Sequence, residues 1–217
     1  MLRIRFKSGA PRRPPRVVIL GPPGSGRSTQ CQLIAKKYGL VHICTRTILK
    51  DEIARNPAVG QVIANCFDSG NLVPDSIVMP LLEQRMKQSD CRVNGWVLDG
   101  FPQTEAQINL LKSLKIRPSL VVLFEQTEEE SVRRLTNRRI DPTTGTYYNL
   151  EIDPPRDEAT GSRLIELVED KKNVVKQRFT VWNNQVSNIE EAFKNMLLTV
   201  QSDKAVEQIS DTICDAI

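Results

Sequence analysis

Nine residues near the start of the chain are spaced for holding phosphate. Gly21-Pro22-Pro23-Gly24-Ser25-Gly26-Arg27-Ser28-Thr29 has the spacing Gly-x-x-x-x-Gly-x-Ser/Thr of a phosphate-binding loop, with Arg27 where the pattern has lysine. Successive backbone N–H groups in such a turn, followed by a helix N-terminus, make a cradle for anionic oxygens. Gly24 and Gly26 permit the backbone angles, Ser28 is placed for Mg²⁺ or phosphate, and Thr29 can bond a phosphate. Arg27 keeps the positive charge, but its planar fork is bulkier than an ammonium and the two are not interchangeable.

Two further groups could do chemistry. In Trp96-Val97-Leu98-Asp99-Gly100-Phe101-Pro102 an acid follows an apolar run. If that run is a strand of an open α/β sheet, Asp99 sits at the edge where ligands bind and could orient hydrated Mg²⁺. It could equally cap the next helix. In Arg133-Arg134-Leu135-Thr136-Asn137-Arg138-Arg139, Arg134 and Arg138 are i, i+4, and on a helix they share one face. Two guanidinium groups there could clamp a transferring phosphoryl group, or simply form a solvated basic helix end. Arg178 could join the same site. His42, the one histidine, lies within an apolar stretch and reads as structural. No Ser-His-Asp or Cys-His arrangement for nucleophilic catalysis is evident.

The elements that must position these residues follow from the apolar pattern. Val17–Leu20 runs into the glycine-rich loop, and a helical stretch from Ser28 to Tyr38 follows, closed by Gly39. Leu40–Ile43, Trp96–Leu98, Leu120–Phe124 and Leu197–Val200 read as further strands. Continuous apolar runs separated by helices predict an α/β fold, a parallel sheet covered on both faces. Helices are expected over Thr47–Asn56, Ala58–Ser69, Ser76–Gln88, Thr104–Leu114, Glu128–Arg139 and about Arg163–Val186, with a terminal helix from about Asp203. Asp141–Gly161 is rich in Pro, Thr, Gly, Asp and Tyr, and reads as an inserted loop or lid.

Composition bounds the rest. A chain of 217 residues with 40% hydrophobic and 26% charged residues fits one sizeable globular domain. No apolar run could cross a bilayer, so no membrane partner is expected. The five scattered cysteines suggest neither zinc nor a disulfide framework, and a reducing, cytoplasmic setting fits them. Net charge is +4, but six basic residues fall in the first 16 positions, and the remainder carries 24 basic against 26 acidic residues. A nucleic-acid surface is therefore not expected. Residues 1–15, basic and proline-rich, read as a disordered leader or linker, with a targeting peptide or nucleic-acid arm as the alternative.

Taken in order, GPPGSGRSTQ, SGNLVPD, WVLDGFPQT, RRLTNRRIDPTTGTYY with DPP, and Arg178 resemble the adenylate kinases, nucleoside monophosphate kinases of the P-loop fold. The resemblance covers Arg16 to Ala216 and the lid length is that of the long-lid form. It implies a five-stranded parallel sheet with helices on both faces, an AMP-binding helical arm at about 44–73, and a lid at about 141–163 that closes over ATP. The implied reaction is ATP + AMP to 2 ADP with Mg²⁺, by direct transfer between two positioned nucleotides. By position, Gly24, Ser25, Gly26, Arg27, Ser28 and Thr29 would hold the ATP phosphates, with Arg138, Tyr147 and Tyr148 beside the ATP and Lys204 near its adenine. Thr45, Lys50, Asn71, Leu72, Val73, Gly100, Phe101, Pro102, Gln103 and Gln107 would surround AMP. Arg134 and Arg178 would meet the phosphates during transfer, and Asp99 with Ser28 would orient Mg²⁺. Zinc, which some family members hold on lid cysteines, is not expected here.

Four positions depart from the family pattern: Arg27 and Lys50 exchange one cation for another, while Gln103 and Leu167 replace arginines, with Arg163 nearby but out of register. Losing two charged hydrogen bonds in a transition state would cost on the order of 10²- to 10⁴-fold in rate. The pattern resembles the divergent domains of multi-domain ciliary or flagellar adenylate kinases, in which this unit would be a monomeric domain of a longer chain. Three readings stand at this point: an adenylate kinase of lowered rate, a weakly catalytic nucleotide-binding module, or a kinase for another monophosphate.

Overall fold

The computed structural model describes residues 14–217. Of the stretch expected as a leader, only Pro14 and Pro15 fall within this range. They lie against Gly95, and the Trp96 amide donates to the Pro15 carbonyl at 3.1 Å, while the rest of that stretch lies outside the described residues.

Strand β1 (Arg16–Leu20) explains the layers. Val17 and Ile19 pack on one side, Val18 and Leu20 on the other, and all four are 0% exposed. A strand apolar on both faces must be covered twice. Around it lie β2 (Val41–Cys44), β3 (Trp96–Asp99), β4 (Leu120–Glu125) and, after a small lid hairpin, β7 (Leu197–Gln201). All pair in parallel in the order β2-β3-β1-β4-β7, as a five-stranded sheet was expected to do. On the Val17 side, α1 (Arg27–Tyr38) and α10 (Val206–Ala216) contribute Cys31, Ile34, Ile209 and Ile213. On the Val18 side, α4 (Asp75–Met86), α6 (Glu105–Ser113) and α9 (Lys172–Phe193) contribute Leu82, Leu111 and Ile189. The α/β expectation, with helices on both faces, therefore holds.

The remaining elements surround the carboxyl edge of the sheet. After β2, α2 (Thr45–Arg55) and α3 (Pro57–Ser69) form a two-helix arm. Gly70 ends the arm at φ +74, and a Cβ there would meet the Val174 carbonyl at 2.8 Å and Arg178 Cγ at 3.1 Å, so glycine lets the arm's base approach α9. A short helix, α5 (Ser89–Asn94), is not visible in the periodicity. The inserted segment expected as a lid, and called the lid below, contains β5 (Arg138–Ile140), β6 (Tyr147–Asn149) and α8 (Glu158–Arg163).

Helices α7 and α9 differ from expectation in their bounds, and α9 also runs on to Phe193 where Val186 was expected. Helix α7 spans Glu128–Thr136 and does not reach Arg139. Its last carbonyls are taken by side chains: the amide of Asn137, just past the helix, donates to Arg133 O, and the amide of Asn149 in the lid donates to Arg134 O. Arg138 thus lies on a strand and shares no helix face with Arg134. Helix α9 starts at Lys172 and not near Arg163, because Ile165 pairs with Ile140 of the lid and Val168–Asp170 forms a 3₁₀ turn.

Candidate active site

The glycine-rich loop leaves β1 and enters α1 with Gly24 at φ +81 and Gly26 at φ +84. No side chain caps the start of α1, which leaves its first N–H groups for an anion. Gly26, Ser28 and Thr29 are exposed, while Ser25 is buried beneath them.

Arg27 does not extend into solvent. Its Nη1 donates to the Gly21 carbonyl at 2.8 Å and its Nε to Asp99 Oδ1 at 3.1 Å. The guanidinium crosses the face of Gly100, where a Cβ would come within 3.1 Å of Nη2. Asp99 is 2% exposed, and the Thr45 hydroxyl donates to its backbone carbonyl at 3.2 Å. Burial pushes its carboxyl up, but the His42 ring, Arg27 and the Ser28 hydroxyl together hold it below the usual carboxylate value. His42 Nε2 stands 3.5 Å from Oδ2, an ion-pair distance too long for a good hydrogen bond. Among the described residues Oδ2 therefore has no hydrogen-bond donor of its own. Cys31 lies beside this pair, its thiol pushed up by burial and by Asp99.

Across the cleft, a second charged group forms around the 3₁₀ turn. Arg138 grips Asp170 with two hydrogen bonds of 2.7 Å. Arg178 donates to the Glu169 carbonyl at 3.1 Å and lies 3.9 Å from Asp170. Burial, then Arg138 and Arg27, bring the Arg178 guanidinium down to about 10. Arg46, at the start of α2, reaches over the Phe67 ring at 4.7 Å to pair with the Glu169 carboxylate. Burial, then Arg178 and Arg138, bring it down to about 9.

One cleft collects Arg27, Ser28, Thr45, Asn71, Leu72, Val73, Asp99, Gly100, Gln103, Gln107 and Arg178 of the expected residues. Others fall elsewhere. Phe101 and Pro102 are buried in the core behind the cleft, and Lys50 is exposed on α2, away from it. The amide oxygen of Gln107 accepts from the Gln103 N–H at 2.7 Å and its nitrogen donates to Asp75 at 2.6 Å, so this amide ties the loop to α4. Arg134 bonds Glu130 at 2.6 Å and the Ser202 carbonyl at 2.9 Å and lies 3.5 Å from the Gly24 carbonyl, so it stands between the phosphate loop and the strand that leads to exposed Lys204. Arg138 stacks 5.1 Å from the centre of the Tyr147 ring, with Tyr148 the next residue on the same lid strand.

Sequence reasoning did not single out Arg46, Glu169 or Asp170. A cation directly after Thr45, and an acidic pair at a fixed distance before Arg178, were the available signals.

Arg163, near the position where an arginine was expected, serves the lid. Its Nε and Nη2 bond the two oxygens of buried Asp141 at 2.9 and 2.8 Å, and Asp141 also accepts from Thr143 N and Thr144 Oγ1. The Arg163 bonds, more than any other contact, hold the Asp141 carboxyl well below its usual range. A depressed carboxylate stabilises the fold above its unfolded value and loses that contribution as pH falls through its folded value. Lid protection is thus expected to persist below pH ~4 and to fail only in stronger acid. Arg163→Met is expected to speed amide exchange across residues 141–153 roughly tenfold with the core sheet unchanged, read by hydrogen-exchange mass spectrometry. Unchanged lid exchange would dismiss the pair as a staple.

The cleft thus presents uncapped backbone donors on one wall, an arm on the other, and guanidinium groups between them. That arrangement suits two anionic ligands facing each other. The adenylate kinase family model matches residues 19–197. The chain is 37% identical over 196 residues to the chloroplastic adenylate kinase of Zea mays, covering 90% of this chain and 88% of that protein. It is 37% identical to a probable chloroplastic adenylate kinase 2 of Oryza sativa subsp. japonica, covering 90% and 68%. It is 32% identical to an adenylate kinase of Francisella tularensis subsp. novicida, covering 93% and 98%.

Proposed function

The chain belongs to the adenylate kinase family and is a phosphotransferase; from that premise we propose how its cleft performs ATP + AMP = 2 ADP. The observation that carries the proposal is the shared cleft. The phosphate loop with Arg27 and Ser28, the arm residues Thr45 and Asn71–Val73, and Arg178 all line one space.

In this reading the donor phosphates lie on the backbone N–H groups of residues 24–29, with Arg138, Tyr147 and Tyr148 closing from the lid and Lys204 near the base. The acceptor lies between the arm and residues 100–107. Transfer needs no covalent intermediate from the protein; positioning and charge neutralisation carry it. Arg178 and Arg27 stand between the two sides and meet the migrating phosphoryl group. Asp99 Oδ2, buried and without a hydrogen-bond donor, fits a hydrated Mg²⁺ with the Ser28 hydroxyl beside it. When bound, Mg²⁺ would neutralise charge on the phosphates. The lid segment 141–163 contains no thiol and no imidazole, so zinc is not proposed. Among the described residues no helix is long and apolar enough to cross a membrane, and we propose a monomeric domain acting in the cytoplasm or in a ciliary assembly. The relatives named as chloroplastic are the reason to keep an organelle open as well.

A lowered rate is part of the proposal. Lys50 is exposed, Gln103 is uncharged, and the Gln107 amide is engaged within the protein, so the acceptor side has fewer free groups than expected. The same observation favours the weakly catalytic nucleotide-binding module as the second reading. A coupled assay for ADP formed from ATP and AMP is expected to give turnover that vanishes when AMP is omitted. ATP binding by calorimetry without any ADP formation would move the assignment to the second reading. Faster turnover with another monophosphate would move it to a different acceptor.

A further inference from the structure

Arg46 has no part in the mechanism above, and its surroundings are unusual. It is the second residue of α2, fixed next to Thr45, whose hydroxyl is bonded to the Asp99 backbone. From there its side chain runs along the Phe67 ring into the cleft shared by Gly100, Gln103 and Arg178. It ends on the carboxylate of Glu169. That carboxylate also lies 3.5 Å from Arg138, and its residue's backbone carbonyl holds Arg178.

Three guanidinium groups therefore converge on a turn that offers two carboxylates, Glu169 and Asp170. Asp170 is fully buried and already gripped by Arg138. The cluster carries one positive charge in excess, and burial first, then repulsion among the guanidinium groups, depresses both Arg46 and Arg178. An incoming oxyanion would relieve it. Lys50, the cation expected on this side of the cleft, is exposed and off the cleft wall.

We propose that Arg46 binds the phosphate of the acceptor monophosphate, leaving the Glu169 carboxylate that occupies its guanidinium in this structure. A carboxylate and a phosphate present similar paired oxygens to the arginine fork, so the exchange needs only a swing of one side chain. Arg46 then supplies, from the arm, positive charge that Gln103 and Leu167 do not supply from the core. This inference rests on the reading that the arm side of the cleft takes the monophosphate.

The alternative is that Arg46 merely ties the arm to the 3₁₀ turn, and the two variants Arg46→Met and Glu169→Gln separate these roles. Arg46→Met is expected to weaken AMP binding roughly 10- to 100-fold by calorimetry, with ATP binding unchanged. Arg46→Lys is expected to recover part of the loss. Glu169→Gln releases Arg46 and is expected to leave AMP affinity equal or improve it about two- to fivefold, since a competing charge is removed. Arg138 keeps Asp170 and Arg178 keeps a backbone carbonyl in that variant, so the turn retains its other ties. If both variants weaken AMP alike, Arg46 is a structural tie and the proposal falls. It falls equally if Arg46→Met leaves AMP affinity within twofold of the parent. A parent protein that binds ATP but no AMP at millimolar concentration would overturn the acceptor-site reading itself, an outcome distinct from either.

Discussion

Replacing Arg178 by methionine is expected to lower turnover roughly 10³- to 10⁴-fold while ATP affinity stays within about threefold of the parent. A guanidinium aimed at a migrating phosphoryl group contributes on the order of 10³- to 10⁵-fold to such reactions. Arg178 is the one such group projecting from α9, on the far wall, into the cleft between loop and arm. Its loss should not unfold the protein, because Asp170 keeps its two bonds to Arg138. Arg178→Lys is the sharper probe. The surroundings that lower the Arg178 guanidinium, burial first, would lower a lysine ammonium as well, and the ammonium starts from a lower ordinary value. The lysine variant should thus be active in its charged form and lose activity, as pH rises, at a lower pH than the parent. A coupled ADP assay from pH 6.5 to 9.5 reads both effects. Methionine at this position with more than a tenth of parental turnover, or a lysine variant with the parent's pH profile, would remove Arg178 from the transfer step.

What could be read from the sequence was whatever a short window encodes. The run Val17–Leu20, the glycine spacing after it and the helix that follows are local signals, and they fixed the phosphate loop and the sheet edge together. Asp99 was legible for the same reason, standing at the end of Trp96–Leu98. The pairings that decide the site's electrostatics are not local. Arg27 turns back onto an acid 72 residues away, and nothing around residue 27 signals it. Arg46 reads as an ordinary helix residue until the fold brings Glu169 to it. The end of α7 was set partly from outside the helix, because Asn137 just beyond it takes the Arg133 carbonyl while Asn149 of the lid hairpin takes the Arg134 carbonyl, which no helical periodicity could reveal. Of the residues that the family resemblance singled out, the fold brings Arg178 and Arg138 together at Asp170, while Lys50 stays exposed on α2.

Asp99→Asn is expected to cost about 10²- to 10³-fold in turnover and to separate the two roles of this carboxylate. The first role is toward Arg27. Asp99 accepts the Arg27 Nε, and an amide of the same shape offers no charge to hold it. The second, under the proposed function, is toward Mg²⁺, for which Oδ2 is the buried oxygen without a donor among the described residues. The signs of the two effects on ATP binding are opposite. Without Mg²⁺, removing a negative charge beside the triphosphate and releasing a guanidinium toward it should make ATP bind several-fold tighter than to the parent. With Mg²⁺, the variant should lose most of the gain that the ion gives the parent, and the Mg²⁺ concentration for half-maximal turnover should rise at least about tenfold. Acid cannot mimic the variant under ordinary conditions. His42, Arg27 and Ser28 keep the Asp99 carboxyl below its usual value, so it stays ionised down to and below pH ~4. Calorimetry of ATP with and without Mg²⁺ distinguishes the cases directly. If metal-free ATP binds the asparagine variant no better than the parent, Arg27 is not restrained by Asp99 in any way that matters to the donor. If the Mg²⁺ requirement is unchanged, the ion is held elsewhere and the buried oxygen serves only the loop.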